Sequence, residues 1–189
     1  QYFKLAKPNR WLTSGGLGTM GFGFPAAMGA QAAFPGRLVL CIAGDGSIQM
    51  NMQEMATAVV HKLPVKIIIL NNRFHGMVRQ WQDLFYEGRY ASSDLETTPD
   101  FVKLAEAYGA VGLRASKPSE IDAVLKEAIA VNKPVIVDVP TYRYENVYPM
   151  IPAGGCNHEM ILEDPPALKN KQSGAGQAAS KDSDTILTA

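Results

Sequence analysis

Cysteine is scarce in this chain. There are two, Cys41 and Cys156, and neither lies in a CxxC or Cys/His spacing, so the pattern of a structural zinc site is missing. Nor is this the cysteine density of a disulfide-built secreted domain, and a reducing compartment is the simpler reading. Net charge is missing as well: 18 Lys+Arg balance 18 Asp+Glu. That removes a global electrostatic case for nucleic acid, and no basic stripe replaces it. The longest apolar stretches, residues 38–43 and 65–70, are strand-length and far short of the roughly 20 residues that span a membrane. No Ser/His/Asp or Cys/His nucleophile constellation is visible. From about Lys169 large apolar residues nearly vanish, and residues 169–189 are expected to be a disordered tail, because they bury too little to offset ordering entropy. The chain starts at Gln1 without a signal or transit segment. It reads as a fragment or a mature piece, so targeting cannot be judged from it.

What is present suits one ordinary domain over residues 1–168, with 47% hydrophobic and 19% charged residues. Apolar, β-rich runs at 38–43, 65–70 and 135–139 lack alternation, as parallel strands covered on both faces do. Cys41 within the first run reads as a small buried hydrophobe. Helical patterns lie between the runs. Residues 24–33 are rich in small side chains and carry Pro25 in the first turn. Residues 53–61 place Met55, Ala56, Val59 and Val60 at helix spacing. Residues 101–108 follow a capping Asp100 and stop at Gly109. Residues 119–131 repeat Ile121, Val124, Leu125, Ala128 and Ile129 on one face, with Asp122, Lys126 and Glu127 toward solvent. Strands alternating with helices predict an α/β domain: a central, mostly parallel sheet with helices on both faces. The long stretch 73–99, with Trp81, Phe85, Tyr86 and Tyr90, reads as a lid or contact loop.

Gly16-Leu17-Gly18-Thr19-Met20-Gly21 matches GxGxxG, but residues 10–15 before it make a poor strand, and a dinucleotide fingerprint needs one. The glycines still allow a bound group to approach the backbone. A stronger signal follows the first apolar run, which leads into Gly44-Asp45-Gly46-Ser47; the second leads into Asn71-Asn72. Ligands of open α/β sheets sit beyond the carboxyl ends of the strands. If the two strands are parallel, Asp45 and Asn72 emerge at the same edge. One carboxylate oxygen and one amide oxygen suit Mg2+, and a diphosphate would complete its shell. The metal explains why an acid stands in a phosphate site.

These motifs resemble thiamine-diphosphate enzymes. With Ser14 through Gly23, Leu63-Pro64-Val65-Lys66, Gly76-Met77-Val78-Arg79-Gln80-Trp81 and Pro149 through Gly155, the chain resembles the C-terminal third of the acetohydroxyacid synthase (acetolactate synthase) catalytic subunit. The resemblance implies a thiamine-diphosphate-binding fold. It implies that Asp45, Asn72 and the Phe74 carbonyl hold Mg2+. Gly44, Gly46 and Ser47 would meet the diphosphate, with the backbone of His75 and Gly76. Gly18, Thr19 and Met20 would line the cofactor, Met20 beneath the thiazolium, beside Met77. Met77, Val78 and Trp81 would line the substrate side. From the residues alone, Trp81 with Phe85 and Tyr86 is equally an aromatic core cluster.

By the same resemblance the intact enzyme condenses two 2-ketoacids, pyruvate with pyruvate or 2-ketobutyrate, with loss of CO2, for branched-chain amino-acid synthesis. Its pyrimidine-binding and FAD-binding domains would precede Gln1. The activating glutamate would belong to the missing domain, so no catalytic residue is assigned here and the chain alone is expected to be inactive. A homodimer or larger assembly, a regulatory small subunit and a cytoplasmic (or, in a plant or alga, plastid) location are implied. Another thiamine enzyme, such as a 2-ketoacid decarboxylase or glyoxylate carboligase, or a non-catalytic cofactor-binding module, stays open.

Overall fold

A computed structural model describes residues 4–166 and 168; the expected tail, 169–189, lies outside the described residues. The chain divides into two compact units, Gln1–Phe74 with Leu95–Arg143, and His75–Asp94 with Tyr144–Ala189. In chain order the regular elements are α1 (Gly23–Ala33), β1 (Leu40–Gly44), α2 (Asp45–Gln49), α3 (Met55–Val60), β2 (Lys66–Asn71), α4 (Gly76–Phe85), α5 (Phe101–Ala107), β3 (Val111–Arg114), α6 (Ile121–Ala130) and β4 (Val135–Pro140).

The first unit is built on a four-stranded, wholly parallel sheet in the order β1-β2-β4-β3. The three expected strands are β1, β2 and β4. β3 went unread: its four residues include Gly112 and end on Arg114, a weak strand text. The reason for Gly112 is packing. A Cβ there would stand 2.5 Å from the Val102 carbonyl oxygen of α5, so the helix lies directly on the strand backbone.

Phe24 and Met28 of α1, Met55 and Ala58 of α3, and Phe101 and Ala105 of α5 pack on Cys41, Ile67, Ile69 and Ile136. Each large aliphatic side chain buried there contributes about 1.5–3 kcal/mol relative to exposure. Ala128 of α6, with Val124, packs on Val135, Val137, Val111 and Leu113, which forms a second cluster. Helices therefore cover both faces, as expected, but not completely. Leu40 and Ile42 of β1 remain 48% and 52% exposed, against the expectation of a strand covered on both sides. A helix about 10 Å across spans roughly two strands about 4.8 Å apart, and α6 lies over β4 and β3. Lys66 also breaks the apolar text of β2. It is buried, and its ammonium donates to the Val131 and Lys133 carbonyls at 2.5 and 2.8 Å, closing the C-terminal end of α6.

Capping follows the sequence reading at α5: Asp100 accepts from the Val102 and Lys103 amides at 3.0 and 3.3 Å. It also takes an Arg114 Nη at 2.9 Å, while Arg114 Nε donates to Asp138 at 3.0 Å.

The second unit carries the principal correction. Residues 76–85, read as part of a long connection, form α4. Its buried face is polar: Arg79 is 0% exposed and Gln80 is buried beside it. Arg79 donates to Asp83 at 2.7 Å, to Asn146 Oδ1 at 2.7 Å and to the Glu145 carbonyl at 3.1 Å. The Gln80 amide bonds Val147 in both directions, each at 2.9 Å. Asn146 and the Tyr148 hydroxyl donate to Asp164 at 2.8 and 2.6 Å. Burial, helped by Asp83, pushes the Tyr90 phenol up to about 12, and burial with Asp164 likewise raises Tyr148. Both phenols therefore stay neutral donors.

Candidate cofactor site

The parallel register sets Gly44 of β1 against Leu70 of β2. The residues that follow, Asp45 on one strand and Asn71-Asn72 on the other, leave the sheet side by side at its carboxyl edge, where the sequence placed them. Asp45 opens α2 and is only 1% exposed. Its Oδ1 accepts from the Gly46 amide at 2.9 Å. The Asn72 Oδ1 accepts from the Phe74 amide at 3.2 Å, a turn that holds the amide oxygen in one orientation. Phe74 is buried, with the Arg143 guanidinium 4.5 Å over its ring, which anchors the backbone of the third expected ligand. Asn71 does a different job. It is buried and its amide donates to Asp138 at 3.0 Å, so the first residue of the Asn-Asn pair ties β2 to β4.

The glycine-rich segment is drawn to the same edge. Residues Gly15–Leu17 form a 3-10 turn closed by the Ser14 hydroxyl accepting from Thr19 at 2.8 Å. Among the described residues no strand precedes this turn, so the strand that a dinucleotide fingerprint needs is not in place before it. Gly21 then joins the anchor: its amide donates to Ser47 Oγ at 2.9 Å, and its carbonyl accepts from Asn51 at 2.7 Å. With φ of +85° and Asn51 Nδ2 2.5 Å from where a Cβ would sit, only glycine fits. Ser47 accepts a hydrogen bond and keeps its own proton to donate. Gly18, Thr19 and Met20, just before this junction, are exposed.

Gly16 and Gly44 are different. Neither has a positive φ, and nothing of the protein lies within 4 Å of where their Cβ atoms would be. Packing does not require glycine there, and the bare backbone leaves room for a bound group to approach. The donor set fits magnesium. A buried carboxylate, an amide oxygen and a carbonyl are hard oxygen ligands, and a divalent cation offsets the cost of burying Asp45. Among the described residues no three His, Cys, Asp or Glu side chains converge, so a metal at this edge would need further oxygens from a ligand or water.

Of the expected site residues, Gly18, Thr19, Met20, Gly44, Asp45, Gly46, Ser47, Asn72 and Phe74 belong to the first unit, and His75, Gly76, Met77, Val78 and Trp81 to the second. The His75 amide donates to the Ser93 carbonyl at 2.9 Å and its carbonyl accepts from Arg79. The N–H groups of Gly76 and Met77, in the first turn of α4, have no intrahelical partners. Met77, Val78 and Trp81 lie together on the exposed face of α4, with Trp81 against Phe85 edge-on at 5.5 Å. They line a cavity of about 730 Å³ with Gln82, Tyr86 and Arg89. Trp81 is thus part of a cavity wall and not of a buried aromatic core. Arg79, Gln80, Asn146 and Asp164, which hold this wall in place, were not read from the sequence; the polar Arg79, Gln80 and Asp83 at helix spacing, opposite the apolar Met77, Val78, Trp81 and Phe85, were the available signal.

The family described as thiamine pyrophosphate enzyme, C-terminal TPP binding domain, matches residues 1–139. The acetolactate synthase large subunit of Haemophilus influenzae is 51% identical over 165 residues, 87% of this chain and 29% of that protein. The acetolactate synthase isozyme 3 large subunit of Escherichia coli K12 is 52% identical over 164 residues, 85% of this chain and 29% of its own length. The corresponding large subunit of Porphyra purpurea is 48% identical over 162 residues, 85% of this chain and 27% of that protein. The chain thus spans less than a third of the length of these relatives. A solved structure, the thiamine diphosphate-dependent 4-hydroxybenzoylformate decarboxylase of Rhodococcus jostii RHA1, superposes with a TM-score of 0.61 at 37% identity, over 65% of this chain and 23% of that one.

Proposed function

The chain belongs to the thiamine pyrophosphate enzymes, as their C-terminal TPP-binding domain, and from that membership we propose that it serves an acetolactate synthase. The observation that carries the reading is the buried Asp45 beside Asn72 at the carboxyl ends of β1 and β2. Asp45, Asn72 and the Phe74 carbonyl hold Mg2+. Gly44, Gly46 and the Ser47 hydroxyl meet the diphosphate. Gly18, Thr19 and Met20 line the rest of the cofactor. Bound thiamine diphosphate supplies the electron sink that lets a 2-ketoacid lose CO2. Without the cation, Asp45 would repel the phosphates; with it, the carboxylate fixes their position.

The reaction joins two 2-ketoacids. The donor's bond to its carboxylate breaks and releases CO2, a carbon–carbon bond forms to the acceptor's carbonyl carbon, and the acceptor oxygen takes up one proton. Met77, Val78 and Trp81 form the substrate wall, excluding water and limiting acceptor size. The names of relatives near 50% identity support this chemistry, and the name of the Escherichia coli relative, an isozyme large subunit, supports a small partner subunit. FAD and the activating carboxylate reside in other parts of the full-length enzyme, which works as a homodimer or larger assembly in the cytoplasm or a plastid. The 189-residue chain alone forms no acetolactate.

The test is product analysis with the full-length enzyme, thiamine diphosphate, Mg2+, pyruvate and 2-ketobutyrate. Acetohydroxyacids with one CO2 per turnover support the proposal. Aldehyde release without carbon–carbon bond formation would assign the site to a decarboxylase, the activity in the Rhodococcus jostii protein's name.

A further inference from the structure

We infer that Asp138 is a positioning residue for the metal site: through Asn71 it fixes Asn72, the amide ligand. The inference rests on the Mg2+ reading above and adds to it a residue from a different strand. Asp138 lies on β4, which runs parallel to β2 and in register with it. By strand alternation its side chain shares the sheet face of Ile136, part of the apolar cluster with α1, α3 and α5. It is 2% exposed, so a carboxylate stands where that pattern calls for an aliphatic side chain. Both of its oxygens are matched. Oδ1 accepts from the Asn71 side-chain amide at 3.0 Å, and Oδ2 accepts from Arg114 Nε at 3.0 Å. Apolar residues of similar volume often fill such a position at no greater cost. What the polar group adds is direction, with one oxygen aimed at Arg114 and the other at Asn71.

The consequence reaches Asn72. The Asn71 carbonyl accepts from the Thr141 amide at 2.9 Å, just past the end of β4. Asn71 is therefore tied to the β4 chain by both its backbone and its side chain. Asn72 follows it directly, and its own Oδ1 accepts from the Phe74 amide at 3.2 Å. The ligand is thus held on one side by β4 and on the other by its turn. Arg114 extends the chain of contacts: its Nη donates to Asp100, the cap of α5, at 2.9 Å, so the Asp138 carboxylate is itself held against rotation. Outer groups that orient the ligands of a metal are commonly worth about 10–100-fold in metal affinity.

The experiment uses the full-length enzyme. Thiamine diphosphate binding is measured by titration calorimetry at stepped Mg2+, and the readout is the Mg2+ concentration that gives half-maximal binding. That midpoint does not depend on the folded fraction, which a merely structural defect would lower. Asp138→Leu keeps the bulk and removes both hydrogen bonds; its midpoint is expected to rise about tenfold or more. Asp138→Asn removes the charge but can keep both bonds. The Asn71 Oδ1, which has no hydrogen-bond partner, can accept from the new amide once its own amide turns over, so this midpoint is expected to rise far less. Asn71→Ala breaks the same link while Asp138 and Arg114 stay paired. Its midpoint is expected to rise as in Asp138→Leu, and it decides the matter if Asp138→Leu does not fold. An unchanged midpoint in Asn71→Ala, or in folded Asp138→Leu, overturns the inference. So does an equal rise in Asp138→Asn and Asp138→Leu, which would make charge the whole effect. Wild-type binding that does not depend on Mg2+ overturns the metal reading itself.

Discussion

Helices α4 and α6 are each ten residues long, and they face their surroundings in opposite ways. In α6, Ala128 is buried while Asp122, Lys126 and Glu127 stand in solvent, the usual arrangement of an amphipathic helix. In α4, Arg79 and Gln80 are buried while Met77, Val78, Trp81 and Phe85 are exposed. The difference separates two ways of holding a helix. α6 is held by apolar burial, which is non-directional and tolerant. α4 is held by a directional polar network, which frees its apolar face to be a wall for something else. A buried polar network of this kind is costly to break and specifies one arrangement.

Breaking the network should therefore produce the largest effect. Arg79→Leu strands Asp83 and Asn146 in a buried site, and removing one partner of a buried pair costs about 3–5 kcal/mol. Hydrogen exchange is expected to accelerate through residues 75–94 while β2 and β4 keep their protection. Uniform acceleration across both units would break the comparison. On the apolar side, Gly112→Ala drives a Cβ into the Val102 backbone, which cannot swing aside as a side chain would. Overpacking of this kind costs about 1–3 kcal/mol, read as a lower urea midpoint with an unchanged slope.

Asp100→Ala removes the cap of α5 and is expected to cost about 1 kcal/mol. Burial works against the Asp100 charge, but amide hydrogen bonds and Arg114 outweigh it and hold the carboxyl below its ordinary range. The stability it adds is present above the unfolded carboxylate value and is lost as pH falls through the lower folded one. The wild type should therefore lose its advantage over Asp100→Ala in acid, in paired melts across that range. The smallest change is expected at the α4 wall. Trp81→Leu should shift stability by no more than about 0.5 kcal/mol, leave cofactor binding intact and widen the range of acceptors. Unfolding of that variant would mean that Trp81 is core after all.

The same contrast explains what the sequence disclosed. β1, β2 and β4 are apolar runs interrupted only by Lys66 and Asp138 before their polar ends, and Asp100 is a recognisable cap, so the parallel sheet was legible. Asp45 and Asn72 were legible because both follow such runs, and parallel register brings them to one edge. β3 was not, because Gly112 answers to the α5 backbone across the sheet face and not to strand propensity. α4 was not, because a periodicity reading looks for apolar residues on the buried face, and the hydrogen-bond partners of Arg79 and Gln80, Asn146 and Val147, lie 67 residues along the chain from them.

The central claim is that Asp45 works with Asn72 as a metal-mediated diphosphate anchor. Titration calorimetry of thiamine diphosphate into the full-length enzyme, with Mg2+ and then with chelator, tests it most directly, repeated on Asp45→Ala. The account predicts binding by the wild type that disappears with chelator, and no Mg2+-dependent binding by Asp45→Ala. Equal affinity with and without Mg2+, or an Asp45→Ala variant that binds as the wild type does, would contradict it.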